Sequence, residues 1–289
     1  MLEVSMSPVK IFTFVFFLSL LPTFVLAKDK EQSTLRFITY NTWGLPAPLT
    51  TCPSRFKKIA ASIGQFNADI IAFEETFAKR AKVLELKEYP YHLYGPGKSK
   101  GIKILPSGLL ILSKFPIIES DYKIYSKCGG FDCFANKAIL WMKIKIPGVG
   151  AINVFATHTN AGTSMKIKTS QLDEAWEFIQ RHLEGRSTVF MGDFNMSPET
   201  PLYNFVKYNM SFDDSLDLYL TDHPEYSNDP NVIYTYTIKY LYHKRLDYVW
   251  LKDIGPRAMH PINYKVIFNN VNGKRLSDHL GVLVDMQFH

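Results

Sequence analysis

Asp193 and Asn195, two residues apart, close the stretch S-T-V-F-M-G-D-F-N that runs from Ser187 to Asn195. Thr188 to Met191 reads as a short buried strand that stops at Gly192, and alternation along an extended chain puts Asp193 and Asn195 on one side. A carboxylate and an amide converging on one point suit an oxyanion, a metal-bound water or a nucleophile. Gly, Asp and Asn are also ordinary turn residues, so this stretch by itself leaves a plain strand-to-turn junction open. The same arrangement recurs elsewhere: Asn41, Glu75, His158, Asp247 and the pair Asp278-His279 each sit at an end of an apolar, strand-like segment.

A carboxylate that interrupts a buried strand is costly unless it is paired or bound to a cation. One shared cleft accounts for all these strand ends together. Its inventory has hard oxygen donors, Glu75 and Asp278 with Asn41, and no cysteine beside them, which suits Mg²⁺, or Mn²⁺ or Co²⁺ in its place. Two histidines with acidic neighbours, His158 and His279, suit general acid–base work. The chain has no H-E-x-x-H. Metal, histidine and amide donors without a side-chain nucleophile fit water attacking phosphorus.

The elements that must position these groups are strands with helices between them. Leu35 to Tyr40 alternates as a strand and delivers Asn41; Ala68 to Phe73 is a second strand that ends in Glu74 and Glu75. Pleat alternation turns Glu74 away from Glu75, which makes Glu74 structural. Phe56, Ile59, Ala60 and Ile63 predict an amphipathic helix over 54–66. Tyr89 to Lys103, rich in Gly, Pro and Lys, reads as a loop, and Gly108 to Ser113 as a strand. Lys137 to Ile146 and Ala151 to His158 form a hairpin around Pro147-Gly148-Val149-Gly150. Leu172, Ala175, Trp176, Ile179 and Leu183 predict a second helix, with Thr169 or Ser170 capping its start and Gly185 closing it. Ser197 to Tyr242 reads as loop; strands return at Leu246 to Leu251 and Leu280 to Met286.

The 289 residues are 46% hydrophobic and 21% charged, a globular composition large enough for one sizeable domain. Lys10, the apolar run Ile11 to Leu21, and small residues up to Ala27 make a signal-peptide pattern cut after Ala27, and the run is short for a membrane span. Residues 28–289 then form a single catalytic domain. The leader holds one acid, Glu3, and one base, Lys10, so the remaining chain keeps the net charge of +6. A basic surface suits a polyanion, either nucleic acid or an anionic membrane face. Of the three cysteines, Cys128 and Cys133 are near enough to close a small loop after export; three free thiols are the alternative.

The ordered blocks Y-N-T-W-G, I-I-A-F-E-E-T, A-T-H-T-N-A, M-G-D-F-N, R-L-D-Y-V and L-S-D-H resemble those of the endonuclease/exonuclease/phosphatase superfamily, the deoxyribonuclease I fold. The resemblance implies an α/β fold: a four-layer α/β/β/α sandwich of two packed mixed sheets flanked by helices, cutting phosphate esters with Mg²⁺. It implies Glu75 as metal ligand, with Asn41 orienting the ion or its waters and Asp278 close by. It implies His279 as general base oriented by Asp247, and His158 stabilising the pentavalent phosphorane with Asp132 in support. Asn195 then donates to the developing oxyanion, Asp193 positions water or a second ligand, and Lys137 either touches phosphate or, as a strand-starting lysine, is solvated.

Within the superfamily the chain is similar to the neutral sphingomyelinase branch. The similarity rests on Ser107 to Pro116, on Lys127 to Lys137 with its Cys-Gly…Asp…Asn-Lys order, and on Lys168 to Leu172. It departs from that branch at Ala138, where glycine is usual, and at Thr159-Asn160, where Leu-Gln is usual. No long apolar hairpin and no C-terminal anchor stand out in the sequence. The implied substrate is a phospholipid at a membrane surface, sphingomyelin foremost, acted on by a secreted monomer. A secreted nuclease of the same fold, whose Tyr/Arg/Lys-rich stretch from Tyr234 to Arg245 lies along a phosphate backbone, stays open, as does a phosphodiesterase for another phospholipid or a catalytically dead headgroup-binding module.

Overall fold

The computed structural model describes Met1 and residues 33–46, 54–98, 104–238, 241–254, 258–269 and 275–289. The expected leader with its cut after Ala27, and Cys52, lie outside the described residues.

Strands are numbered along the chain. One six-stranded sheet holds β1 (Ser33–Asn41), β2 (Ile70–Glu74), β3 (Tyr91–Tyr94), β4 (Leu110–Ser113), β13 (Met259–Ile267) and β14 (Gly281–Phe288), in the order β13-β14-β1-β2-β4-β3. The other holds β5 (Ile117–Ile124), β6 (Ala138–Ile146), β7 (Gly150–His158), β8 (Thr188–Asp193), β9 (Asp213–Asp214) and β12 (Asp247–Lys252), in the order β5-β6-β7-β8-β12-β9. A separate hairpin pairs β10 (Tyr236–Ile238) with β11 (Leu241–Lys244). Each large sheet is mixed, with one parallel pair, β1/β2 in the first and β7/β8 in the second, among antiparallel neighbours.

The side-chain period of two sorts each strand's residues into layers. Leu35 and Phe37 of β1, Ile70 and Ala72 of β2, and Val282, Val284 and Met286 of β14 meet Leu140 and Met142 of β6, Val154 and Ala156 of β7, Val189 and Met191 of β8 and Val249 of β12 in one core between the sheets. The alternate residues face outward. Ile38, Tyr40, Ile71 and Phe73 pack under helix α1 (Arg55–Ile63) through Phe56, Ile59 and Ile63. Phe155, Phe190, Tyr248 and Trp250 pack under helix α2 (Met165–His182) through Leu172, Ala175, Phe178 and Ile179. The result is the four-layer α/β/β/α sandwich. Central strands covered on both faces read as unbroken apolar runs rather than as alternation.

Several elements differ from the sequence expectation. Helix α2 starts at Met165, five residues before Ser170, with Ser164 at its cap position and no side-chain cap bond; it ends at His182, and Gly185 (φ +65°) takes the left-handed turn into β8. The 197–242 stretch holds helix α3 (Pro201–Asn204) and helix α4 (Ser215–Asp222), whose Asp214 cap accepts from the Leu216 N–H at 3.0 Å. Strand β3 lies within the expected 89–103 loop, and β5 and β13 were not foreseen. Cys128 and Cys133 form a disulfide that closes the short helical turn Gly130–Phe134. Among the described residues no helix is long and apolar enough to cross a membrane.

Candidate active site

The layer rule also explains why the polar strand ends meet. In β7 the residues facing the inter-sheet core are even-numbered, so His158 follows Val154 and Ala156; in β8 they are odd, so Asp193 follows Val189 and Met191. Asp247 precedes Val249 and Leu251 in the same way. Register then lines these three up, since Asp193 pairs with His158 on one side and with Asp247 on the other. From the opposite sheet β1 ends at Asn41, whose Nδ2 donates to Asp193 Oδ2 at 2.9 Å and to Glu75 Oε1 at 3.2 Å. The Asn41 amide oxygen is taken by the Trp43 N–H at 2.9 Å, so Asn41 orients the two carboxylates, whereas the resemblance implied that it orients the ion or its waters.

Glu75 and Glu74 invert the expectation from the pleat. Glu74 keeps the strand's parity and is fully buried, with Oε1 accepting from the Thr39 hydroxyl at 2.8 Å and Oε2 without a partner among the described residues. Burial first, and the nearby Asp247 and Asp193 charges after it, hold Glu74 well above the usual carboxylate range. Glu75 reaches the cleft because its backbone turns left-handed, φ +57°. Asn195 does likewise at φ +47°, so it does not share a strand face with Asp193 by alternation; its N–H donates to Asp193 Oδ1 at 2.8 Å and its Nδ2 to the Thr159 carbonyl at 3.1 Å.

On one wall, His279 Nδ1 lies 2.9 Å from Asp247 Oδ2, and its Nε2 lies 3.6 Å from Asp193 Oδ2. Burial opposes the imidazolium, but Asp247, Asp193 and Asp278 outweigh it and hold the His279 pKa well above 6.5. The same burial pushes Asp247 up to about 6, although His279 pulls the other way. The Asp247 N–H donates to the Thr235 hydroxyl oxygen at 3.1 Å, which fixes the strand start. Asp278, beside His279, is also raised, mainly by burial.

On the other wall, Lys137 precedes β6 and is not solvated: its side chain is 3% exposed, with Nζ 3.1 Å from Asp132 Oδ1 and 2.7 Å from His158 Nε2. Asp132 is tied in turn by the Ala161 N–H to its Oδ2. Burial, Lys137 and His279 hold His158 well below 6.5, so it is neutral and its Nε2 accepts from the lysine. The positive charge on this wall therefore sits on Lys137.

A cleft of about 420 Å³ runs through the centre, lined by Glu75, Asp193, Asn195, Asp278 and His279 together with Lys168 and Tyr236. Of the residues expected at the site, all but Lys137 border this cleft or touch a residue that does; Lys137 reaches it through His158 and Asp132. Lys168 and Tyr236 were not singled out for it. Lys168 Nζ donates to the Asn195 carbonyl, and the Tyr236 ring lies 4.9 Å from the His279 ring. Lys168 falls in the run 168–172 and Tyr236 in the Tyr-rich 234–245 stretch, which were the available signals.

The donor set fits a hard divalent cation. Glu75 Oε2 is buried without a hydrogen-bond partner among the described residues, and burial lifts Glu75 to about 7 despite Lys137. A cation in contact would hold that carboxylate ionised. Asp193, Asp247 and His279 form a second grouping, with one potential ligand atom from each within 4.8 Å of the others.

Residues 38–279 match the endonuclease/exonuclease/phosphatase family. The chain belongs to that family. Phospholipase C of Staphylococcus aureus is 27% identical over 249 residues, covering 76% of this chain and 74% of that protein. Sphingomyelinase C of Bacillus cereus is 29% identical over 195 residues, 58% of each chain. Among solved structures, beta toxin of Staphylococcus aureus with bound magnesium ions superposes with a TM-score of 0.65 at 20% identity, covering 87% of this chain and 99% of that one. The family fold thus accounts for nearly the whole described chain, and the strand-end row from His158 to Asp247 lies inside the matched span.

Proposed function

We propose that this chain is a secreted, Mg²⁺-dependent phosphoric diester hydrolase that converts sphingomyelin to ceramide and phosphocholine. The observation that carries the reading is the convergence of Glu75, Asp193 and His279 on one cleft, with Asn41 bonded to both carboxylates, in a chain similar to a sphingomyelinase and a phospholipase C. Export is supported by the leader pattern before Lys28.

Glu75 would hold Mg²⁺, which would supply positive charge against the phosphoryl oxygen. In its neutral form His279 takes a proton from the attacking water at Nε2, and Asp247 on Nδ1 fixes the ring's tautomer and stabilises the imidazolium that forms. The water oxygen–phosphorus bond forms as the bond from phosphorus to the ceramide oxygen breaks, and the released oxygen gains a proton from solvent. Asn195 and Lys137 face the negative charge that gathers on phosphate. Neutral His158 holds Lys137 in place opposite Asp132.

The purified chain is assayed on sphingomyelin, phosphatidylcholine and duplex DNA, with and without EDTA. Sphingomyelin cleavage abolished by EDTA is the expected result. A nuclease reading gains support from Lys168 and Lys244, both lining the cleft; cutting of DNA with no action on either lipid would establish it and overturn the lipid reading.

A further inference from the structure

A second cleft of about 320 Å³ opens beside the first and shares Glu75 and Ala161 with it. Its character is different. Leu45, Phe77, Leu105, Phe131, Phe134 and Ala135 make its walls, and Asp132 and Lys137 lie with Glu75 at its polar end. Phe131 is 88% exposed and Phe134 42% exposed. Both sit on the short helical turn Gly130–Phe134 closed by the Cys128–Cys133 disulfide, and the Leu105–Ala135 bridge ties that turn to the strand entry. Bulky apolar side chains held in water by a covalent loop forgo burial, which ordinarily favours tucking them in. At the mouth of a reaction cleft, that exposure is explained by a ligand that covers them.

The chemistry says which ligand. In-line displacement at phosphorus requires the attacking and departing oxygens on opposite sides. His279 lines the polar cleft and is not among the residues of the apolar one, while Glu75 borders both. Water activated at His279 therefore approaches from the polar side, and the departing oxygen leaves toward Phe131 and Phe134. We infer that the apolar cleft binds the hydrocarbon of the leaving alcohol, so that the enzyme selects phosphodiesters whose departing group is a lipid alcohol. This rests on the proposed phosphodiesterase reading and adds to it which side of the phosphorus reads the substrate.

The test uses a series of n-alkyl phosphocholines from ethyl to octyl, each below its micelle concentration, with sphingomyelin vesicles as a separate arm. In the unmodified protein kcat/KM rises with alkyl length, roughly fourfold for each methylene taken out of water, until the cleft is filled. The double variant Phe131→Ser/Phe134→Ser flattens that rise. Phe131→Trp keeps it, and so does Ile118→Ser, which removes apolar surface exposed at 48% on β5, outside the cleft. Equal slopes in the unmodified protein and the double variant, with sphingomyelin still cleaved, overturn the inference alone. Failure of the unmodified protein to cleave sphingomyelin or any member of the series removes the functional reading, and the inference falls with it.

Discussion

Asn41 donates to Asp193 across the seam between the two sheets, joining residues 152 apart in sequence at 2.9 Å. The same amide group reaches Glu75, so a single neutral side chain sets the spacing of two carboxylates from different sheets. Asn41→Ala leaves them without that spacer. Groups that orient ligands in this way typically change metal affinity or activity by about 10–100-fold when removed. A loss in that range, read as a shift in the Mg²⁺ concentration for half-maximal activity, is the expected outcome; an unchanged Mg²⁺ titration would show that Asn41 does not serve the ion.

Glu75→Gln removes the charge proposed to hold Mg²⁺ while keeping the shape and the bond from Asn41. Mg²⁺ binding followed by calorimetry is expected to vanish at millimolar ion, and EDTA to stop mattering to the residual rate. Because Glu75 lies near 7 through burial, trading it for an uncharged amide costs the ion-free fold little, so thermal melting without Mg²⁺ stays the same or rises.

Asp247→Asn changes how His279 titrates. Asp247 is the largest of the influences raising His279, acting against burial. Without it the imidazole loses its proton at lower pH, so the acid limb of the kcat/KM profile moves down while the plateau falls because the ring is no longer held. A fall of about 100-fold or more at the plateau is in line with general-base contributions. An acid limb that does not move would assign the titration to another group.

Acid stability reports a different pair. Burial would raise Asp285, but Arg36, bonded to both its oxygens at 2.6 and 2.9 Å, and Asn263 at 2.8 Å hold it below the usual carboxylate range. A carboxyl depressed in the folded state stabilises it above the unfolded value, about 3.9, and that stabilisation is lost as pH falls through the folded value. The melting temperature of the unmodified protein is expected to drop more steeply below about pH 4 than that of Asp285→Asn. Parallel curves would remove the pair from the account.

Gly192 is the one glycine on which the row of strand ends depends. At φ +140° a Cβ there would stand 2.0 Å from the Thr157 carbonyl oxygen in the neighbouring strand. Gly192→Ala must push β7 and β8 apart beside His158 and Asp193. Backbone strain of this kind costs on the order of 1–3 kcal/mol before the displaced strand is counted. Reduced melting temperature together with lost activity is expected; a variant of wild-type stability would mean the sheet yields freely at this point.

The central strands and their polar ends were legible because both faces of β1, β2, β7 and β8 are buried, leaving long apolar runs with abrupt ends. The family blocks carried the four layers and the donor set. What failed to show has physical reasons. Strand β5 lies at a sheet edge with residues 118–122 exposed, so it has no apolar pattern, and β13 carries Pro261 and a bulge between Pro261 and Asn263. Helices α3 and α4 are only 4 and 8 residues long, too short for a periodic signal. Alternation also misplaced Glu74 against Glu75, since a left-handed turn at a non-glycine residue has no mark in sequence. Lys137, expected either to touch phosphate or to be solvated, owes its burial to Asp132 and His158, partners only the folded chain assembles.

The shared register of His158, Asp193 and Asp247 reaches beyond chemistry. If β8 slid by one residue against its neighbours, its side chains would exchange faces. Asp193 would then enter the layer of Phe155, Tyr248 and Trp250, where burial among aromatic rings penalises a charged carboxylate. The groups suited to cutting the substrate thus act as a proofreading device during assembly: a chain threaded wrongly is penalised most heavily at the place where it would also be inactive.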